Sequence, residues 1–395
     1  MACTLKSIRW LSDITGQGVT SQWDVTGTDL GIPVYSPKQK RMYFLFGDTF
    51  GQKKTEDGSL VDTNWRGTVA GYTDRFDFSQ TILWDGFLSE SRGFARELIP
   101  AHYTEDKARL ERTKISQGGI EIDGNLYIFY ESINHWGPEA SGYWYLNYGG
   151  TLKSTDGGQT FTKVYDLSWV EPTDEEGLAT AKSLVEEDMT LQPSGTDFDV
   201  KAHIAPGFGQ MYAADGKDGY IYVYGRRGGR ISGIKVGRAL KAEFEHFDAF
   251  EYLTRFENGN AVWQKGRAGL DAIMADEATA EIVPGPTSNM SVAYNAYLGK
   301  WMLIYYLPGE GIYYRLSDTP YGPFDEAKLL LSIDHPDVVE NLPPNANRNR
   351  LYGAFMHEAM NQEQGRIVPF IISQWYAWPG KPRYYGSRLF VAEFE

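Results

Sequence analysis

The sequence is poor in cysteine, in basic charge and in long apolar runs. A single cysteine, Cys3, among 395 residues excludes a disulfide framework and a cysteine-based zinc site. Lys and Arg total 38 against 52 Asp and Glu, and the formal net charge of −14 argues against binding to duplex DNA or to an anionic membrane. No segment approaches the roughly 18 consecutive apolar residues that a transmembrane helix requires.

The first residues lack the apolar core and the small-residue cleavage site of a secretory signal. We therefore expect a soluble protein, cytoplasmic as made, without a nucleic-acid or membrane partner. If it acts outside the cell, release at lysis is one route, as for a phage-encoded protein. The six histidines show no metal-binding spacing, so no cofactor or catalytic metal is expected, and a structural calcium ion is left open.

Glycine and aromatic residues are abundant: the chain has 43 Gly, 11 Trp, 26 Tyr and 20 Phe. This composition is typical of many short strands joined by tight turns. Five aromatic-rich apolar segments recur along the chain, each preceded and followed by a second and a third short strand. They are MYFLF, NLYIFYE, YIYVYG, KWMLIYYL and IVPFIIS, at residues 42–46, 125–131, 220–225, 300–307 and 367–373.

This recurrence predicts an all-β chain, a single five-bladed β-propeller spanning residues 1–395 with few short helices in the insertions between blades. The blades are expected at about residues 17–80, 113–168, 200–255, 285–330 and 345–395. The segment 154–161, STDGGQTF, fits the Asp-box turn found in propeller blades and is interpreted as structural. Helices are expected at 104–112 and 174–187.

Two aspartates of the first repeat are the candidate catalytic residues. Asp29 lies among small residues ahead of an inner strand, and Asp48 follows a strongly apolar strand, where a carboxylate serves no packing purpose. Two carboxylates that flank one bond are what glycoside hydrolysis needs. A strand-end aspartate alone is more often a turn former, and the test is whether the two side chains converge.

The same residues resemble a known family. The runs FGDTFG, GTDLG and NWRGTVAGYTD are similar to those of the DUF4185 family, part of which forms glycoside hydrolase family 183, the endo-D-arabinanases of mycobacterial arabinogalactan and lipoarabinomannan. LYGAFMHEAM and LSDTPYGPF fit as well. The resemblance implies a five-bladed propeller and a catalytic pair that corresponds to Asp29 and Asp48. We assign Asp29 as base and Asp48 as acid, with the reverse left open, and expect inversion with carboxyls about 6.5–9.5 Å apart.

Other polar and aromatic residues near strand ends are candidates for supporting or substrate-binding roles. Glu131 holds in the second repeat the place of Asp48 and is expected to tune the pair or to hold a sugar hydroxyl. Arg66 is expected to steady a carboxylate or bind hydroxyls, and Trp65 to stack on a sugar ring. The remaining candidates, each more often structural, are Asn134, His135, Trp136, His203, Arg226, Asn289 and His357.

The sequence thus predicts an endo-acting glycoside hydrolase whose partner is a cell-wall D-arabinan. One alternative is a propeller glycosidase that acts on another glycan, such as L-arabinan, a sialoside or a fructan. The other is a non-catalytic propeller, either a lectin or a phage receptor-binding module that keeps the fold without the acid–base pair.

Overall fold

The computed structural model describes residues 4–56, 60–102, 110–137, 143–187, 198–340, 342, 351–376 and 384–395. Their strands form five antiparallel sheets of four or five strands each, and this confirms the predicted five-bladed β-propeller. The chain forms two compact units, residues 1–99, 288–318 and 325–395 in the first and residues 100–287 and 319–324 in the second. The first unit holds blades 1, 4 and 5, and the second holds blades 2 and 3. The interpretation of residues 1–395 as one domain stays a prediction.

The strands follow one another blade by blade after β1 (Leu5–Asp13), which belongs to blade 5. Blade 1 has β2 (Gly27–Ser36), β3 (Arg41–Lys54), β4 (Leu60–Arg66), β5 (Val69–Thr73) and β6 (Gly86–Phe87), followed by the small hairpin β7 (Ser89–Ser91) and β8 (Phe94–Ala95). Blade 2 has β9 (Thr113–Ile122), β10 (Asn125–Trp136), β11 (Trp144–Ser154), β12 (Thr162–Lys163) and β13 (Trp169–Val170). Blade 3 has β14 (Gln210–Asp215), β15 (Tyr220–Arg226), β16 (Lys235–Leu240), β17 (Glu251–Glu257) and β18 (Asn260–Lys265).

Blade 4 has β19 (Met290–Asn295), β20 (Lys300–Leu307), β21 (Gly311–Ser317) and β22 (Lys328–Ser332). Blade 5 has β23 (Leu351–Phe355), β24 (Ile367–Tyr376) and β25 (Tyr384–Phe394), with β1 as its outer strand. Three α-helices lie in the described residues: α1 (Glu175–Glu187), α2 (Gly266–Ala275) and α3 (Pro336–Val339). None of them has both the length and the apolarity that crossing a membrane requires.

The central strands of the blades are buried on both faces. Residues 42–46 of β3 are at most 1% exposed, although neighbouring residues of a strand point to opposite sides. A strand that packs on both faces reads as a continuous apolar run instead of an alternating one, and this explains why these segments stood out in the sequence. The core of the first unit gathers around Ile304, Phe370 and Phe390, and that of the second around Phe129 and Phe208.

The N-terminal strand closes the C-terminal blade. β1 pairs with β25 along its whole length, from Leu5 opposite Phe394 to Asp13 opposite Arg388. Directly after β1, the Ile14 N–H donates to the Ser387 carbonyl at 2.9 Å, and the Ser387 N–H donates to Thr15 Oγ1 at 2.9 Å. The chain then continues into blade 1, so blades 5 and 1 are joined both covalently and by hydrogen bonds.

The Asp-box turn has the hydrogen bonds expected of a structural turn. Asp156 accepts from the Ser154 hydroxyl at 2.7 Å, from the Thr160 N–H at 2.9 Å and from the Thr160 hydroxyl at 2.6 Å. The helix expected at 174–187 is α1. Of the helix expected at 104–112, residues 104–109 lie outside the described residues and residues 110–112 are not helical. Helix α2 was not predicted, because its glycines conceal the helical spacing of the buried Leu270 and Ile273.

We predict that Gly149→Ala destabilises the second unit. A methyl group at Gly149 would lie 2.7 Å from the Gly209 carbonyl oxygen and 2.8 Å from that of Phe208, and neither backbone atom can rotate away. The expected loss is about 1–3 kcal/mol, as for other overpacked sites, measured by chemical denaturation. Gly27→Ala is the control, because its methyl group meets nothing nearer than 3.5 Å. Equal stability of the two variants would contradict the close approach.

Candidate active site

Asp29 and Asp48 lie on the same face of blade 1. In the register of β2 and β3, Thr28 pairs with Thr49 and Leu30 with Phe46, so Asp29 alone opposes both Gly47 and Asp48. This is a β-bulge, a feature that often redirects a side chain beside an active site. The hydroxyls of Thr28 and Thr49 meet at 2.6 Å, so these two side chains share one face of the sheet. Asp29 and Asp48 are their neighbours along the strands and point to the other face. The two carboxylates are therefore cross-strand neighbours.

The backbone at this point is held in an uncommon conformation. Leu30 has φ of 67°, a left-handed value that a branched side chain rarely adopts. Its N–H donates to the Ser373 hydroxyl at 2.8 Å, and its side chain is buried in the core. Such strain costs about 1–3 kcal/mol, and it persists only where the surroundings enforce it. Blade 5 enforces it here, one residue after Asp29.

Asp29 is held by two tyrosines of blade 5. The Tyr352 hydroxyl donates to Asp29 Oδ2 at 2.7 Å, and Tyr385 is also hydrogen-bonded to Asp29. Burial and then the negative charge of Asp29 raise the pKa of Tyr385 well above its usual value, and Tyr352 and Asp48 act in the same direction. Tyr385 therefore remains a protonated donor beside both carboxylates. Hydrogen bonds from phenols favour the ionised form of Asp29.

Asp48 has a different partner. The indole N–H of Trp65 donates to Asp48 Oδ1 at 3.0 Å, while 39% of the Trp65 side chain stays exposed. Trp65 was expected to stack on a sugar ring, and its exposed ring remains available for this while its nitrogen fixes the carboxylate. One aspartate is thus held by hydroxyls and the other by an indole.

Arg66 is buried and holds the backbone around the site. It is 4% exposed and donates to the Ala95 carbonyl at 2.8 Å and to the Asp24 carbonyl. Its Nη2 lies 3.5 Å from Asp24 Oδ2. Gly51 is needed here, because a methyl group on it would lie 2.1 Å from Asp24 Oδ1. Of the roles expected for Arg66, the carboxylate that it steadies is Asp24, and hydroxyl binding stays a prediction.

Glu131 is a buried carboxyl of the second unit. It is 2% exposed, and it accepts from Gln117 Nε2 at 2.8 Å and from Trp144 Nε1 at 3.1 Å. Burial raises the pKa of Glu131 to about 8, against the opposing effects of the Trp144 hydrogen bond and the charge of Arg226. The expected role as a hydroxyl-binding or tuning group stays a prediction.

Arg226 is 1% exposed at the end of β15. Its Nη1 donates to the carbonyls of Arg227 and Thr287, both at 3.3 Å, and to that of Gly229. These bonds hold the loop after β15, and the guanidinium carbon lies 6.0 Å from the centre of the Trp144 ring. Arg226 and Glu131 thus share Trp144 as a neighbour.

The other residues chosen from the sequence fall into two groups. Asn134, His135 and Trp136 lie at the end of β10: Asn134 donates to Asn147 Oδ1 at 2.9 Å, His135 stacks on Tyr145, and Trp136 is 44% exposed. His203, Asn289 and His357 have structural contacts. The His203 ring packs between Phe198 and Phe247, the Asn289 carbonyl accepts from the Tyr306 N–H, and His357 Nδ1 accepts from the Ala359 N–H.

Sequence reasoning missed Tyr352 and Tyr385. Tyr352 lies within the LYGAFM run, which was interpreted as a strand and as part of the family resemblance but not as a site. Tyr385 is one of 26 tyrosines without a local motif. In the described part of the chain, no three His, Cys, Asp or Glu side chains cluster so as to hold a metal ion. The absence of a catalytic metal stays an expectation.

A family model described as "Domain of unknown function (DUF4185)" matches residues 15–389. The chain belongs to the DUF4185 family. This confirms the resemblance to the DUF4185 family, whereas membership of glycoside hydrolase family 183 stays a prediction. No curated protein matches the chain in sequence.

Solved structures are similar to this DUF4185 protein at low sequence identity. A Bacteroides ovatus protein described provisionally as a hydrolase has a TM-score of 0.56 at 12% identity, over 93% of this chain and 86% of its own. Xylan β-1,4-xylosidase from Bacillus halodurans has a TM-score of 0.48 at 10% identity, over 93% of this chain and 53% of its own. An α-L-arabinofuranosidase from Podospora anserina has a TM-score of 0.41 at 9% identity, over 98% of this chain and 95% of its own.

We predict that Glu131→Gln removes a pH dependence of stability. Glu131 ionises near its ordinary pKa of 4.5 in the unfolded chain but only near 8 in the folded one, so the folded state binds the extra proton between these values. The free energy of unfolding should therefore fall as pH rises from about 4.5 to 8, by at most about 1.4 kcal/mol per pH unit from this group. Glutamine stays neutral, so the free energy of unfolding of the variant should rise relative to that of the native protein as pH increases over this range.

Denaturation curves at pH 5 and pH 8 measure this difference. Glu243→Gln, at an exposed glutamate of the same unit, is the control and should follow the native protein at both pH values. If the Glu131 and Glu243 variants show the same pH dependence, Glu131 does not hold its proton in the folded state.

Proposed function

We propose that this protein is an endo-acting glycoside hydrolase that cleaves D-arabinofuranosyl linkages of a cell-wall arabinan, such as arabinogalactan or lipoarabinomannan. The observation that carries the proposal is the convergence of Asp29 and Asp48 on one face of blade 1, each with its own hydrogen-bond donor. Two carboxylates side by side beside a strained backbone match the acid–base pair that glycoside hydrolysis requires. The choice of D-arabinan rests on the family resemblance.

The different donors support different roles for the two aspartates. The phenols of Tyr352 and Tyr385 favour the ionised form of Asp29, which suits a general base. Asp48 has the Trp65 indole as donor and the negative charge of Asp29 beside it, and a neighbouring carboxylate favours the protonated form. Asp48 therefore suits the general acid.

In the proposed reaction, Asp48 gives its proton to the glycosidic oxygen as the bond to the anomeric carbon breaks. Asp29 takes a proton from a water molecule whose oxygen bonds to that carbon from the opposite face. The elements of water are added across the bond, the configuration is inverted, and the next water restores the protonation of the pair through solvent. The exposed Trp65 ring offers a face for the sugar beside Asp48. Release by lysis is the proposed route to the wall.

Incubation with mycobacterial arabinogalactan, followed by chromatography of the released oligosaccharides, tests the proposal. The native protein should release short D-arabinan oligomers, and Asp48→Asn and Asp29→Asn should each lower the rate at least about a thousandfold, since each removes an acid–base group. Asp62→Asn, at an exposed aspartate of the same blade, is the matched control and should keep full activity.

Two results would contradict parts of the proposal. No release from arabinogalactan, with release from L-arabinan or another glycan, would overturn the substrate. Binding to glycans without cleavage of any would overturn the enzyme and favour a carbohydrate-binding propeller. Unchanged rates in both aspartate variants would move the chemistry away from blade 1.

We further predict that Tyr352→Phe moves the low-pH limb of the activity profile to higher pH. The variant loses the 2.7 Å hydrogen bond that favours ionised Asp29, so the base is protonated at a higher pH than before. The measurement is kcat/KM against pH. Tyr313→Phe is the control, because the Tyr313 hydroxyl also donates to a carboxylate at 2.7 Å, that of Glu310 in blade 4. A uniform loss of activity at all pH values would indicate that Tyr352 only maintains the fold.

A further inference from the structure

The β10–β11 hairpin of blade 2 has aromatic pairs on both faces of its outer end. Trp136 pairs with Trp144 across the strands, with ring centres 5.6 Å apart, and His135 pairs with Tyr145, with ring centres 4.3 Å apart. Neighbouring residues of a strand point to opposite faces, so the tryptophans share one face and His135 and Tyr145 share the other. Each face has one ring that is widely exposed, Trp136 at 44% and Tyr145 at 45%.

The tryptophan face differs from the other in the polar groups that surround it. Trp144 is fixed by its hydrogen bond to the buried Glu131, and the guanidinium carbons of Arg226 and Arg230 lie 6.0 and 5.8 Å from the centre of its ring. Arg226 Nη2 has no hydrogen-bond partner within the described part of the chain, although the residue is 1% exposed. A buried donor without a partner lowers stability, so a group that accepts from it would stabilise the protein.

Glu131 and Arg226 affect each other electrostatically, but no N–O contact within 4.0 Å joins them in the described structure. A carboxyl and a guanidinium that face a common neighbour without contact offer an acceptor and a donor to a third group. A sugar hydroxyl is both a donor and an acceptor, so it matches such a pair. The C–H face of the same sugar ring would pack on an exposed indole.

We infer that the tryptophan face of the hairpin is a sugar-binding site of the second unit, which holds a neutral residue of the glycan without reacting with it. Trp136 supplies the apolar face, and Arg226, Arg230 and Glu131 supply the polar groups. The sugar is taken as neutral because the arabinan of the proposed function is built of neutral arabinose units. The inference rests on the proposed function for the identity of the glycan.

The rings of this face are ordered before any ligand binds. Trp144 is fixed by Glu131, which in turn accepts from Gln117, and Trp136 packs edge-on against Trp144 at an interplanar angle of 61°. A binding surface that is already ordered loses little conformational entropy on association. This distinguishes the face from a single exposed aromatic residue, which needs no functional explanation.

Affinity electrophoresis of Asp48→Asn protein in gels that contain arabinogalactan tests the inference, because retardation requires binding but no cleavage. Trp136→Ala in this background should weaken binding about tenfold or more, which corresponds to the loss of one stacked ring. Tyr145→Ala is the matched control: it removes an equally exposed ring from the same hairpin but from the other face, and binding should stay within about twofold.

Equal binding by the Trp136 and Tyr145 variants, whether both retained or both lost, would overturn the inference. Stronger retardation in polygalacturonate than in arabinogalactan gels would overturn the choice of a neutral sugar. If the native protein cuts no arabinan, the same gels with L-arabinan and xylan still compare the two variants. The failure of the proposed reaction and the failure of this site are therefore separate results.

Discussion

The pairing of β1 with β25 is the contact on which the candidate site depends. It completes blade 5 with a strand from the other end of the chain, and the residues that follow β1 hydrogen-bond to Ser387 before they enter blade 1. Blade 5 is thereby held against β2. Asp29 accepts a hydrogen bond from the hydroxyl of Tyr352, 323 positions away in sequence, and the Leu30 N–H donates to the Ser373 hydroxyl. Without this closure, the strained backbone of β2 and the Asp29 carboxylate would both lose their support.

A change in the strand that pairs with β3 gives the two neighbouring carboxylates different hydrogen-bond donors. Up to Phe46 the strand pairs with β5, and from Thr49 onward it pairs with β4. Gly47 and Asp48 lie at the exchange, where the bulge opposite Asp29 is stabilised by a hydrogen bond of 2.8 Å from the Thr49 hydroxyl to the Gly47 carbonyl. Because β4 carries Trp65, the exchange brings an indole donor to Asp48, whereas blade 5 brings phenols to Asp29.

The parts of the site that sequence could predict are those encoded locally. Apolar runs marked the central strands, and the isolated carboxylates of GTDLG and FGDTFG marked Asp29 and Asp48. Contacts between segments distant in sequence could not be predicted, because no motif near Tyr385 indicates that it faces Asp29. The role of Arg66 depended on Asp24, whose left-handed backbone, with φ of 57°, turns its carboxylate over Gly51. The outer strand β1 was missed for the same reason, since its partner lies at the opposite end of the chain.

Glu131 shows how the second unit uses a carboxyl in another way. Its two oxygens accept from Gln117 and Trp144, and burial keeps the group protonated at neutral pH, with a pKa of about 8. A protonated carboxyl that already accepts on both oxygens still has its own O–H to donate. Gln117 Nε2 and Trp144 Nε1 are donors and cannot accept this O–H, whereas the buried Gln210 side chain also interacts with Glu131, and its amide oxygen has no other partner among the described residues. A neutral carboxyl that accepts from the Trp144 indole fixes this ring without placing a negative charge beside it. Asp29 and Asp48 differ from Glu131 in their setting, because they lie at a bulge of blade 1 and are held by hydroxyl and indole donors.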